Sequence, residues 1–454
     1  MEINERFLIK NAQIAKPLRV FEGDLGLENG VITYIGEPVQ PSAGCRVIDG
    51  SGLYAVPGFI DIHTHGASLF DLTQGLYDPQ SRTFDDSDEA YETGIDRTMQ
   101  TMAAEGSTRV LLATVASPID KLVHALRCAG RYIGSDNNGR RGALLEGVLL
   151  EGTFIKYPEF AGAQNPEHFL SPSVDAFERL NDAAHGNIAY VNVVPEYGEE
   201  ARPLMEHLRC QRVLIGAGHT DASAEQYVDA VKRGLKVAIH FTNGPTGSTF
   251  KPFGGGGVLQ AVLGSRKVYA EIIADGYHVN PSYVLDILWR KGGDRIIAIT
   301  DSMFVTGVDA IREFELAGVQ GRRSEDGRYL AVAGKRRTLF GSVLTMRTAF
   351  ANYLTWLTKP MRGIWKDVHD PLELDEAVLA ASHFCSVNPA RALEIFDPPN
   401  QKLGQDVSMC AGGIQVGKRA DVALIRVEGE PGQYDVRVVD TFVGGRLVKQ
   451  TPAS

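Results

Sequence analysis

Through the middle of the chain, short apolar runs rich in β-branched residues recur, and most are followed by a stretch long enough for a helix. The runs are Val56–His65, Val110–Val115, Leu145–Glu151, Ala189–Val194, Arg212–His219, Lys236–His240, Tyr269–Asp275 and Ile296–Asp301. Helix-length stretches such as Ala224–Arg233 and Ser282–Lys291 lie between them. Near-continuous apolar strands alternating with helices predict a parallel sheet covered on both faces. Eight of them predict an α/β fold closed into a (β/α)8 TIM barrel rather than an open sheet. A doubly wound sheet usually carries a Gly-rich dinucleotide loop after its first strand, and none is present.

The ends of the chain have another texture. Phe7–Asn11, Asp24–Glu28 and Val31–Ile35 are short strand-like pieces separated by Asn, Gly and Pro turns, which predicts a small antiparallel sheet. The tail from about Gln415 to Lys449 reads the same way. The two ends are therefore expected to pair into one small domain, residues 1–55 plus 400–454, beside a barrel over 56–399. Phe314–Leu316 through Leu330–Ala333 reads as a hairpin inserted after the eighth strand, with Asp326-Gly327 at its turn. Ser68–Thr93 is polar and acidic and carries no readable chemistry.

A net charge of −10 argues against nucleic acid as a partner, since that footprint is basic. Five scattered cysteines, never in C-x-x-C spacing, fit reduced thiols better than a disulfide framework or a cysteine zinc site. The start, Met-Glu-Ile-Asn-Glu-Arg, lacks a signal peptide's apolar core, and no run approaches membrane-spanning length. These features predict a soluble cytoplasmic protein with no membrane partner.

Chemistry enters at the strand ends, where barrels of this kind keep their active sites. The first strand ends in His63 and His65, two apart and so on one face. The third ends in Glu151, the fifth in His219, the sixth in His240 and the eighth in Asp301. Six metal-competent side chains at these places predict a divalent metal site. Imidazole and carboxylate ligands without thiolates suit Zn²⁺ first, and also Fe²⁺, Mn²⁺ or Co²⁺. Such an ion activates a water to attack an amide carbonyl. Asp301 would take the water's proton and pass it to the departing amine. Two ions are feasible with Glu151 as bridge, His63 and His65 on one side and His219 and His240 on the other. With one ion, Glu151, His219 and His240 form the set. His278, just past the seventh strand, suits a substrate hydrogen bond or oxyanion stabilisation. Gly254–Gly257 lacks the Lys-Ser/Thr ending of a P-loop and reads as a loop beside the site.

Taken together, Pro57-Gly-Phe-Ile-Asp-Ile-His-Thr-His-Gly66, Leu150-Glu-Gly-Thr-Phe154, Gly218-His-Thr-Asp-Ala222, His240-Phe-Thr-Asn-Gly244, Ile273-Ala-Asp-Gly-Tyr-His-Val279 and Thr300-Asp-Ser302 resemble the amidohydrolase superfamily. Within it they most resemble the N-acetylglucosamine-6-phosphate deacetylase family, a match that extends to Asn388-Pro-Ala-Arg-Ala392 and Ile414–Leu424 in the tail. The resemblance implies a barrel with a small β-sandwich built from both termini, usually as a homodimer. It implies hydrolysis of an N-acetyl group from an amino sugar phosphate, a small-molecule substrate. It assigns metal binding to Glu151, His219 and His240, with His63 and His65 at a first-strand metal position that some members lack, and acid–base work to Asp301. Asn243, Gly244 and His278 match sugar-contacting residues, and Gly341, in Leu339-Phe-Gly-Ser342, matches a loop near the sugar.

The departures fall where the substrate is read. The family's Glu-Gly-Pro-Phe is Glu151-Gly-Thr-Phe here, Gln164 stands where the family has a substrate-binding histidine, and Lys251 stands where it has a phosphate-contacting arginine. Lysine can hold phosphate, but as a point charge without the bidentate fork. The alternatives are therefore an unphosphorylated N-acetyl amino sugar, an N-acyl amino acid or cyclic amide, or a scaffold that has kept the fold without catalysis.

Overall fold

A computed structural model describes residues 5–243, 255–335, 338–362, 367–397 and 408–450. Gly244, Lys251 and Gly254 lie outside the described residues. All eight apolar runs form parallel strands of one sheet. They are β1 (Phe59–Thr64), β2 (Ser107–Ala113), β3 (Leu144–Phe154), β4 (Ile188–Val193), β5 (Leu214–Ala217), β6 (Leu235–Ala238), β7 (Tyr269–Ile273) and β8 (Ile296–Ile299), hydrogen-bonded in chain order. Every residue of β1, β2, β5 and β8 is buried, which is why these strands read as unbroken apolar runs. The helices between them are capped where the sequence supplies caps. Ser223 and Gln226 form a reciprocal capping box at the start of Ala224–Lys232, and Asn280 caps Pro281–Lys291.

The barrel closes between β8 and β1 by point contacts. Among the described residues β8 and β1 share no registered ladder, yet the seam is stitched at its upper end. Asp301 N–H donates to the His63 carbonyl at 2.8 Å and His65 N–H to the Ser302 carbonyl at 2.9 Å. Below them the Thr300 hydroxyl donates to Asp61 Oδ2 at 2.6 Å, and burial pushes the Asp61 carboxyl up to about 7.

The run expected as one strand over Val56–His65 is two. Tyr54–Pro57 belongs to the terminal sheet and β1 starts at Phe59. The break falls at Gly58, where a Cβ would lie 2.1 Å from Thr108 Cγ2. Tyr54–Pro57 pairs with Arg6–Lys16 on one side and Val422–Glu430 on the other, so both ends of the chain enter one eight-stranded sheet. That sheet is mixed rather than purely antiparallel, since Arg6–Lys16 runs parallel to Arg46–Asp49 and to Tyr54–Pro57. Its core is separate from the barrel's, and Phe7 meets Phe442 edge-on at 5.1 Å between ring centroids. The inserted hairpin is a three-stranded meander, Glu313–Leu316, Val319–Arg323 and Leu330–Val332, because Ala317-Gly318 adds a turn before the one containing Asp326-Gly327. Phe304, Phe314 and Phe340 pack there with Tyr77, which comes from the stretch that looked blank in the sequence.

Arg109 on β2 joins the barrel to the terminal domain. It is buried, its Nε donates to Asp421 at 3.0 Å, and its guanidinium also pairs with Glu146. Arg109→Met is expected to destabilise the protein by about 1–3 kcal/mol, because buried Asp421 loses one of its two guanidinium partners and keeps only Arg419, while Glu146 is partly exposed. A lowered urea midpoint measures this, and an unchanged midpoint would show that the network holds nothing together.

Candidate active site

Three of the six strand-end side chains sit two residues past their strands. His219 follows β5, His240 follows β6 and Asp301 follows β8. All three have left-handed backbone, with φ of 56°, 29° and 51°. This conformation is costly for a residue with a Cβ and collects at functional sites. Here each strand turns sharply at its end, and the side chain lies in the barrel mouth. Glu151 lies within β3, followed by Gly152 at φ 82°, where a Cβ would come 2.5 Å from Ala116 N and 2.7 Å from Gln164 Oε1.

The six side chains meet. His219 Nε2 and His240 Nε2 lie 3.4 and 3.1 Å from Glu151 Oε1 and 3.2 Å from each other. On the other carboxylate oxygen, His63 Nε2 and His65 Nε2 lie 3.5 and 3.3 Å from Glu151 Oε2. Asp301 Oδ1 closes the set, 3.2 Å from His65 Nε2 and 3.7 Å from His63 Nε2. Donors about 2.0–2.2 Å from a tetrahedral ion stand roughly 3.3–3.6 Å from one another, close to this spacing.

The far side of each imidazole decides its tautomer. Nδ1 of His65 faces the Ala113 carbonyl at 3.3 Å, that of His219 faces the Phe160 carbonyl at 3.0 Å, and that of His240 faces the Asn243 carbonyl at 3.0 Å. Nδ1 of His63 faces Glu271 Oε2 at 3.1 Å. All four partners only accept, so Nδ1 carries the proton and, in each neutral ring, the Nε2 lone pair points to the centre. This is how ligating histidines are held. Among the described residues His63 Nε2 is also buried without a hydrogen-bond partner, which suits a metal-ligating nitrogen.

Charges follow the same geometry. Burial works against a charged His65 ring, but its bonds to Asp301 and Glu151 outweigh this and lift it to about 10. Burial likewise opposes charge on His63, which Glu151 and Glu271 raise well above its usual value. Burial would raise Glu151, yet the surrounding imidazoles hold it well below the carboxylate range, and Asp301 is lowered in the same way, chiefly by His65. A cluster that keeps its carboxylates ionised and attracts positive charge suits a cation.

Around this cluster lies a cavity of about 450 Å³, lined among others by Gln164, Asn243, His278, Lys335 and Gly341. Gln164 is hydrogen-bonded on both sides, accepting from Ala116 N–H at 2.7 Å and donating to Glu151 Oε2 at 3.1 Å. His278 Nδ1 donates to Asp275 Oδ2 at 2.6 Å, which fixes its ring at the cavity wall. Gly341 has φ 50°, and a Cβ there would meet Met303 Sδ at 2.6 Å and the Asp301 carbonyl at 2.8 Å. Sequence reasoning missed Lys335, whose Nζ donates to the Gly162 carbonyl at 3.3 Å, and it missed Glu271 and Asp61. The signal for the last two was a carboxylate inside an apolar strand. A further ligand-competent group, Asp88, His124 and Cys128, already holds a cation, since Arg131 lies 2.8 Å from Asp88 and 3.3 Å from Cys128 Sγ.

Comparison with known proteins agrees with this geometry. The chain is 28% identical over 437 residues to the N-acetylglucosamine-6-phosphate deacetylase of Bacillus subtilis, covering 94% of each. It is 27% identical over 402 residues to the N-acetylgalactosamine-6-phosphate deacetylase of Escherichia coli O157:H7, covering 88% of this chain and 90% of that one. Its fold matches a variant of the Mycobacterium smegmatis N-acetyl-D-glucosamine-6-phosphate deacetylase solved with N-acetyl-D-glucosamine-6-phosphate, at a TM-score of 0.77, 22% identity, and 99% and 100% coverage of the two chains. The model of the amidohydrolase family matches residues 54–448, and the chain belongs to that family.

Proposed function

We propose that the protein is a metal-dependent hydrolase that removes the N-acetyl group from an amino sugar phosphate, N-acetylglucosamine 6-phosphate or a related N-acetylhexosamine phosphate. The observation that carries the reading is the convergence of four imidazole Nε2 atoms on the two oxygens of Glu151, with Asp301 beside them, on a polar cavity. A divalent ion bound there would supply an activated water, its pKa lowered from 15.7 to about 7, and polarisation of an amide carbonyl. His63, His65, Glu151, His219 and His240 would hold it, and Asp301 would accept a proton from water and return it to the leaving amine. His278, Asn243, Gly244, Gln164 and the Gly341 loop contact the sugar, and Lys251 takes the phosphate. Zn²⁺ suits the all-nitrogen and oxygen donor set. We place the protein in the cytoplasm as a homodimer, with the domain division at 399/400 and, because Tyr54–Pro57 lies wholly in the terminal sheet, at Gly58 rather than at 55/56. Among the described residues no helix is long and apolar enough to cross a membrane.

Acetate release from N-acetylglucosamine 6-phosphate, N-acetylgalactosamine 6-phosphate, their unphosphorylated forms and a set of N-acyl amino acids tests this. A phosphorylated sugar should be turned over with the highest kcat/KM. Equal rates with and without phosphate would remove the phosphate reading, and activity confined to N-acyl amino acids would overturn the sugar reading altogether.

A further inference from the structure

Three of the four histidines at the centre are held on their far side by backbone carbonyls, which no side-chain substitution can remove. His63 alone depends on a side chain, Glu271 from β7. We propose that Glu271 is a positioning residue that fixes His63 for metal binding and so determines whether the His63–His65 half of the site holds an ion. The inference rests on the metal reading above, not on the identity of the amide cleaved.

Glu271 is wholly buried in the barrel interior and satisfied by three donors. Its Oε2 accepts from His63 Nδ1–H at 3.1 Å and from the His240 backbone N–H at 3.2 Å, and its Oε1 accepts from the Tyr190 hydroxyl at 2.9 Å. A lone carboxylate at such depth is costly, and it is retained where its donors compensate it. One oxygen thus touches a donor residue from each half of the site. It holds the His63 ring so that Nε2, which among the described residues makes no hydrogen bond, points toward Glu151 and Asp301. A carboxylate behind an imidazole also makes that imidazole a better electron donor, which a carbonyl does only weakly.

The test is a titration of the metal-stripped protein with Co²⁺, followed by visible absorption, with bound metal counted by elemental analysis. Glu271→Gln keeps the shape and an acceptor for His63 and His240 but removes the charge. Wild-type protein should take up two ions. Glu271→Gln should hold one as before and the other about 10–100-fold more weakly, the usual cost of losing a partner behind a ligand. His63→Asn should lose the same ion, and the double variant should add nothing further, because the two residues act as one unit. Tyr190→Phe, which leaves His63 untouched, should retain both ions. Unchanged affinities in Glu271→Gln, additive losses in the double variant, or a single ion in the wild type would each overturn the proposal. Circular dichroism of the metal-free variants separates loss of an ion from loss of the fold. No substrate enters the titration, so failure of the deacetylase reading and failure of this one are distinguishable.

Discussion

Asp301→Asn is expected to leave metal bound and lower kcat by about two to four orders of magnitude, the usual contribution of a positioned acid–base group. The residue is suited to this role by its setting. Its backbone is pinned at φ 51° by a bond from its N–H to the His63 carbonyl and by one from Ser342 N–H to its own carbonyl at 2.7 Å. Neither bond involves the side chain, so asparagine should sit in the same place. The amide oxygen can still face His65, but it cannot accept a proton at neutral pH. Steady-state rates together with metal counts check the expectation. A near-normal kcat would take Asp301 out of the reaction, and loss of metal would make it chiefly a ligand.

Glu151→Gln should have the larger effect on the metal itself. Each carboxylate oxygen serves two imidazoles, so one substitution weakens both halves of the cluster. The loss of affinity should exceed the roughly 10–100-fold cost of removing a partner behind a ligand, since a ligand itself is altered. With the carboxylate gone, the imidazoles also lose the charge that steadies positive charge among them. The purified variant should contain little metal by elemental analysis and show activity only with a large excess of added ion, if at all. Full metal content would mean that the histidines and Asp301 suffice without the bridge.

The legibility of this chain follows from burial. The eight strands could be read because β-branched runs with no polar face have few other uses, and six donors could be read because they fall at or just past the ends of those runs. Tyr54–Pro57 could not be separated from β1, since both are apolar and only the absence of a side chain at Gly58 divides them. Glu271 and Asp61 stayed hidden for a different reason. Each is a charged residue inside an apolar strand, and its value lies in what meets it from β1 or β8, hundreds of positions away. The stretch 68–93 looked blank because its short strands supply packing for the meander rather than chemistry.

The stitched seam between the first and last barrel strands also bears on how the site comes into being. Thr64 and Ser302, whose hydroxyls meet across it at 2.7 Å, are separated by 238 positions. Bringing together the ends of a loop that long costs about 5 kcal/mol in chain entropy on a logarithmic scale. The bonds across the seam, Asp301 N–H to the His63 carbonyl and His65 N–H to the Ser302 carbonyl, therefore act as a clasp, joining the earliest-made part of the barrel to the part made last. During synthesis the clasp cannot shut until Asp301 has left the ribosome, so Asp301 joins the four histidines and Glu151 only at the final stage of maturation.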